Sequence, residues 1–262
     1  DVDSLRLGVA NGAGGTVTIT STGVLRVDNG ITSGNNDNST GHIIVDGGRL
    51  EATNTLLGAR SGALGVLEII NNGYVDLAAI SSNSLFIVSN GGSGSLIINT
   101  GGSLRIGRVL GVSGTLEIDP SEISFVSVGS LVVAQNQAAN CSVTPNTSLD
   151  IPGGITIGLR DAGTFTQTGG SIRTTNTRIS GGSAVYNLVG GHLDLTSISN
   201  NSLFLGDVSG GGVLNISGGG SITIGREFQL SDSVFTFENG NISNIGGLLT
   251  VGFNANTHAE VT

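Results

Sequence analysis

The sequence predicts an all-β chain wound as a single parallel β-solenoid of about ten coils, with three short strands per coil. Three observations carry that prediction. The stretch Ser82 to Arg108 (SNSLFIVSNGGSGSLIINTGGSLRIGR) is echoed without a gap at Asn200 to Arg226 (NNSLFLGDVSGGGVLNISGGGSITIGR), an offset of 118 residues. Apolar and polar residues alternate in short runs, the period of strands with one buried face. Glycine supplies 45 of 262 residues and gathers between those runs, where it permits positive φ and close backbone approach. Self-similarity at a fixed offset marks a repeat architecture. One such unit cannot bury its apolar side alone, but stacked copies can, through parallel strands about 4.8 Å apart. Crossover connections between parallel strands favour a right-handed wind. A sandwich of antiparallel strands is disfavoured by the echo and by the lack of paired two-residue hairpin turns. No helix signal of useful length is present.

Each coil reads as strand, tight turn, second strand, third strand and Gly/Ser/Asn corner. First strands are read at Val17-Thr18-Ile19, Ile43-Ile44-Val45, Leu67-Glu68-Ile69, Leu96-Ile97-Ile98, Leu116-Glu117-Ile118, Phe165-Thr166-Gln167, Leu214-Asn215-Ile216 and Phe235-Thr236-Phe237. Turns follow at Asp46-Gly47-Gly48, Asn71-Asn72-Gly73, Thr100-Gly101-Gly102, Val189-Gly190-Gly191 and Ser217-Gly218-Gly219. Second strands are Leu25-Arg26-Val27, Leu50-Glu51-Ala52, Val75-Asp76-Leu77, Leu104-Arg105-Ile106, Leu149-Asp150-Ile151 and Leu193-Asp194-Leu195. Third strands tend to end in glycine, as in Leu5-Arg6-Leu7-Gly8, Ile155-Thr156-Ile157-Gly158 and Leu203-Phe204-Leu205-Gly206. Two polar stretches, Asp28 to Gly41 and Gln135 to Thr147, read as surface excursions that break the period. The whole of 1–262 is expected to form one solenoid domain, with the internal repeat covering about 66–124 and 184–243.

Composition narrows the function. Charged residues are 11% and aromatics 4%, there is no lysine, and the net charge is −9. Nucleic-acid binding needs clustered Lys and Arg, so it is excluded as an expectation, as is an anionic membrane surface. No apolar run approaches the roughly 18 residues of a membrane helix. The single cysteine, Cys141, allows neither an intramolecular disulfide nor a zinc cluster and reads as a small buried thiol. The start at Asp1, without Met or a leader, reads as a mature or trimmed product.

Aligned coils give columns. The outward residue of the second strand runs Arg26, Glu51, Asp76, Arg105, Ser124, Asp150, Arg173, Asp194, Thr223. Neighbouring charges are mostly opposite, which reads as a register-setting charge ladder. The outward residue of the third strand runs Arg6, Leu56, Phe86, Val132, Thr156, Phe204, Gln229, Thr250. Exposed apolar residues along one face suggest lateral packing. Leu5, Leu7, Leu56, Phe86, Val132, Phe204, Val251 and Val261 are therefore the candidate self-assembly surface.

No catalytic cluster is read. Asp76 and Asp194 are far apart in the coil order, calcium-loop patterns are absent, and His42, His192 and His258 lie in distant coils without a Ser–Asp partner. Loop carboxylates Asp28, Asp37 and Asp46 are the residues an enzyme reading would need. No metal, cofactor or catalytic residue is expected.

The segment from Leu203-Phe204-Leu205-Gly206 through Gly212 to Gly225 (GVLNISGGGSITIG) resembles the Gly-rich repeats of bacterial autotransporter passengers and related secreted surface β-solenoids. The resemblance covers nearly the whole chain. It implies a secreted, extracellular or cell-surface protein, and it leaves the activity open. The reading that follows is a non-enzymatic structural protein, a subunit of a filament or surface layer stacked end to end without covalent links. Repeats that run to both ends without a capping helix motivate it. The alternative is a stalk or passenger segment of an adhesin that binds glycan or a host surface.

Overall fold

The computed structural model describes residues 1–80, 84–87, 92–99, 101–113, 115–118, 125–134, 138–143, 148–159, 161–181, 183–196, 201–206, 210–243, 248–251 and 259–261. Among them every regular element is a strand, and the registered pairings run parallel in all three strand positions. The fold is a parallel β-solenoid, as the periodicity requires. The chain divides into two compact units, Asp1–Gly129 and Ser130–Thr262.

In the first unit, the first-strand ladder stacks Val17, Ile43, Leu67, Leu96 and Leu116. The second-strand ladder stacks Leu25, Leu50, Val75 and Leu104. The third stacks Leu5, Ile31, Thr55, Leu85 and Leu110. The period of two sends alternate residues inward. Ile43, Val45, Leu50, Leu67, Ile69, Val75, Leu85 and Ile87 are all 0% exposed. Each such side chain contributes about 1.5–3 kcal/mol by leaving water. Among the described residues this core is aliphatic.

In the second unit the first-strand ladder is Cys141, Phe165, Tyr186, Leu214, Phe235 and Val261. The second is Leu149, Ile172, Leu193, Ile222 and Ile242. The third is Leu131, Ile155, Thr177, Leu203, Phe228 and Leu249. Among the described residues the number of coils differs slightly from the about ten expected. This core is not purely aliphatic. Phe165 and Tyr186 meet edge to face with centroids 4.9 Å apart, and Phe228 and Phe235 do so at 5.3 Å.

Three local expectations are corrected. Asp28 to Gly41 is not one excursion, because it contains the third strand Ile31–Ser33. Ile31 is 2% and Ser33 0% exposed; the inward serine hid the alternation. Gln135 to Thr147 likewise contains the first strand Ala139–Val143, with Cys141 turned inward at 2% exposure. Val189-Gly190-Gly191 is not a turn between two strands. It lies inside the continuous strand Ala184–Leu195, opposite register shifts between Gln167, Thr168 and Ser171. The corner is made by an irregularity in the ladder.

Glycine is required where corners of successive coils touch. Gly30 (φ +112°) and Gly154 (φ +95°) each place the site of a Cβ 2.7 Å from a carbonyl oxygen, that of Asn54 and that of Asn176 respectively. The same carbonyls accept from Ile31 N and Ile155 N at 2.9 Å.

Candidate functional faces

The outward column of the second strand is the charge ladder expected. In the first unit Arg26 stands beside Glu51 (3.8 Å), and Arg105 beside Asp76 (3.7 Å). The like-charged neighbours Glu51 and Asp76 are reconciled by Arg49, which the sequence reading left out. Arg49 lies in the adjacent outward column. Its guanidinium reaches Glu51 at 2.7 Å and Asp76 at 3.9 Å, and sits 5.1 Å from the Tyr74 ring centroid. Asp76 is 3% exposed. It accepts from the Tyr74 hydroxyl at 3.1 Å and the Ala78 amide at 2.9 Å. Burial and this hydrogen bond to Asp76 push the Tyr74 phenol above its ordinary pKa. Every charge here has a partner inside the cluster, so the cluster holds register.

In the second unit Arg173 grips Asp150 with both arms, Nε to Oδ1 at 2.7 Å and Nη2 to Oδ2 at 2.5 Å. Asp194 accepts from Thr196 N at 2.8 Å. Ser124 and His258 lie outside the described residues.

The first-strand face carries a polar column, Ser142, Thr166, Asn187, Asn215 and Thr236. Asn215 Nδ2 donates to Asn187 Oδ1 at 2.8 Å. Stacked amides of this kind tie rung to rung.

Two histidines have neighbours that the sequence did not show. His42 Nε2 lies 3.2 Å from Glu68 Oε2. His192 Nδ1 lies 2.9 Å from Ser221 Oγ, and its Nε2 lies 3.4 Å from Thr223 Oγ1. Ser221 Oγ also donates to the Gly191 carbonyl at 3.2 Å. These contacts cross coils, so only the register reveals them. Asp28, Asp37 and Asp46 fall at three different corners of the coil, and Asp28 and Asp46 are engaged by Arg26 (2.9 Å) and Asn71 (2.7 Å). Among the described residues no three His, Cys, Asp or Glu side chains gather as a metal site.

The third-strand column also keeps its expected register. In the first unit it runs Arg6, Thr32, Leu56, Phe86, Gly111, and in the second Val132, Thr156, Arg178, Phe204, Gln229, Thr250. Leu56, Phe86, Val132 and Phe204 are half-buried, and so is Leu5. Leu5 and Leu7 both point the other way, into the core, because the period of two stacks them on Ile31 and Ser33 of the next coil; Leu7 is 8% exposed. The side chains of Val251 and Val261 lie outside the described residues.

Register also lengthens the duplication. Gly30-Ile31-Thr32, Asn54-Thr55-Leu56 and Ser84-Leu85-Phe86 occupy the same ladder positions in one unit as Gly154-Ile155-Thr156, Asn176-Thr177-Arg178 and Ser202-Leu203-Phe204 in the other. Asn54 Oδ1 accepts from Ser84 N at 3.1 Å, as Asn176 Oδ1 does from Ser202 N at 3.0 Å. The offset shrinks from 124 to 122 to 118 residues along these three coils, so a gapless comparison catches only the last. The copies differ at one outward position. Arg178 lays its guanidinium 5.6 Å from the Phe204 centroid, where the first unit has Leu56 beside Phe86.

Comparison of the chain with protein-family models, with curated proteins and with solved structures found no match to any of them.

Proposed function

We propose that the chain is a non-enzymatic structural solenoid of the extracellular space that associates through its end rungs. One observation supports this above the rest. Inward residues at the outermost rung of the first unit, Leu5, Val17 and Leu25, are only half-buried. One rung further along the same columns, Ile31, Ile43 and Leu50 are 2%, 0% and 0% exposed. In the second unit Leu249, which stacks on the 1%-exposed Phe228, is 53% exposed. At the first of these rungs Val2 bridges the edge of the second strand, with Val2 N donating to Arg26 O at 2.9 Å; a half-open apolar column there is completed best by another rung of the same kind. That rung comes either from further polypeptide or from a second copy, and a second copy joined head to tail propagates into a filament.

The test is sedimentation and electron microscopy of the purified chain across a concentration series, with Val17→Glu as the comparison. Concentration-dependent filaments that the variant abolishes are expected. A chain that remains monomeric throughout overturns the reading, and fractionation of the source cells tests the extracellular placement.

A further inference from the structure

The third-strand face of the first unit holds an open groove of ≈ 370 Å³, lined by Arg6, Asn29, Thr32, Asn54, Leu56 and Phe86 among others. We infer that this groove binds a saccharide bearing a carboxylate, with a pyranose ring on Leu56 and Phe86 and the acid group on Arg6. The inference stands independently of end-to-end association.

Three properties of the groove point to that ligand class. The first is its mix of surfaces. Its size falls in the range of small-molecule sites, which pair an apolar floor with few polar groups. Leu56 and Phe86 offer the floor. A pyranose has a face of C–H groups and a rim of hydroxyls, so it needs both kinds of surface.

The second is the state of the two amides at the rim. Asn29 Nδ2 donates to Asp3 Oδ1, so the Asn29 carbonyl oxygen is left as an acceptor. Asn54 Oδ1 is occupied by the Ser84 amide, so its NH₂ is left as a donor. Hydroxyls both donate and accept, so one free acceptor and one free donor suit them.

The third is charge. Arg26, Arg49, Arg105 and Arg173 each pair with a carboxylate. Arg6 is exposed and makes no ion pair among the described residues. No Asp or Glu lines the groove; Asp3, which Asn29 holds at the rim, keeps its charge outside the lining. Among the described residues Arg6 is thus the one charged side chain in the lining of the groove, and a cation there is the group that meets an acidic ligand. A guanidinium and a carboxylate form two parallel hydrogen bonds, which fixes orientation as well as affinity.

The second copy of these coils shows the filled alternative. There Arg178 stacks on Phe204 and Val132 takes the place of Arg6 in its column. Cation and ring satisfy each other. In the first unit the cation and the ring stand three rungs apart, with Thr32 and Leu56 between them.

The test uses the full chain and isothermal titration with digalacturonate, a hyaluronan tetrasaccharide and sialyllactose, against maltotriose and acetate. Saturable binding of at least one acidic sugar is expected, weakened about tenfold or more by Arg6→Gln and by Phe86→Ala. Both side chains point outward, and an unchanged melting temperature confirms that the variants fold. No saturable binding of any acidic sugar overturns the inference. So does acetate binding as tightly as the sugars, or sugar binding that both variants leave unchanged. If Phe86→Ala instead alters sedimentation and no sugar binds, the occupant is a second copy and the inference falls.

Discussion

The Tyr186 hydroxyl donates to Gln167 Oε1 at 2.7 Å, between two side chains that are both 0% exposed. Gln167 stands in a column whose neighbours are Val143 and Leu188, so an amide replaces an expected aliphatic. Its Nε2 donates to the carbonyls of Gly169 (3.1 Å) and His192 (3.2 Å). These lie where the ladder register slips, and a slipped ladder leaves carbonyls that need partners. Gln167 and Tyr186 thus form one polar unit that closes a corner inside an apolar core.

Breaking the unit from either side should be costly. Tyr186→Phe leaves Gln167 Oε1 without its donor and should destabilise by about 1–2 kcal/mol. Gln167→Leu strands the carbonyls and the phenol together and should cost about 2–3 kcal/mol. Denaturant unfolding of the single and double variants measures this, and strict additivity would show that the two residues do not act together.

The same burial makes stability fall at high pH. Desolvation raises the Tyr186 phenol and the Cys141 thiol far above their ordinary values. A raised acid keeps its proton longer in the folded chain than in the unfolded one. Its contribution is therefore complete below the unfolded value, about 8.5 for Cys and about 10 for Tyr, and is lost as pH climbs beyond it. Unfolding free energies measured above pH about 9 should decline, and Tyr186→Phe should flatten the part of the slope that begins near about 10. An unchanged slope in that variant would remove Tyr186 as its source.

Cys141 should be chemically silent in the native chain. The thiolate is the reactive form, and burial at 2% exposure suppresses it. A thiol-reactive dye should label the chain only in denaturant. Fast labelling under native conditions would mean that the strand Ala139–Val143 opens locally.

The two charge ladders should differ sharply in weight. The Arg173–Asp150 pair is well formed but exposed, at 50% and 24% for its side chains. Arg173→Ala should cost less than about 1 kcal/mol. Asp76 is buried and serves Arg49, Arg105, Tyr74 and the Ala78 amide together. Asp76→Ala removes this partner from Arg105, Tyr74 and the Ala78 amide, while Arg49 keeps Glu51, and should cost about 2–3 kcal/mol, below a fully buried pair because both arginines keep much of their hydration. It should also lower the pKa of Tyr74, one of only two tyrosines, which ultraviolet titration can follow.

The fold was legible because strand period and corner glycines act locally. Runs such as Leu67-Glu68-Ile69 state their inward face without reference to the rest of the chain. What escaped depended on neighbours one coil away. Ile31-Thr32-Ser33 sends a serine inward, which alternation by hydropathy cannot recognise. Arg49 shares a strand face with Glu51, but it reconciles Glu51 with Asp76 only because stacking sets the next coil's Asp76 beside it. The third-face groove needed more still, since it arises from Arg6, Asn29, Asn54, Leu56 and Phe86, spread over four coils.

Gly30 and Gly154 offer a test of what the corners require. Both combine positive φ with a carbonyl oxygen 2.7 Å from where a Cβ would sit. Gly12 has positive φ as well (+71°), but nothing lies within 4 Å of its Cβ position. Gly12→Ala therefore reports conformational strain alone, about 1 kcal/mol. Gly30→Ala and Gly154→Ala add a collision with backbone that is itself held, since the Asn54 and Asn176 carbonyls accept from Ile31 and Ile155. Each should cost about 2–4 kcal/mol in denaturant unfolding. If Gly30→Ala cost no more than Gly12→Ala, positive φ alone would explain glycine at the corner, and the close approach of successive coils would not.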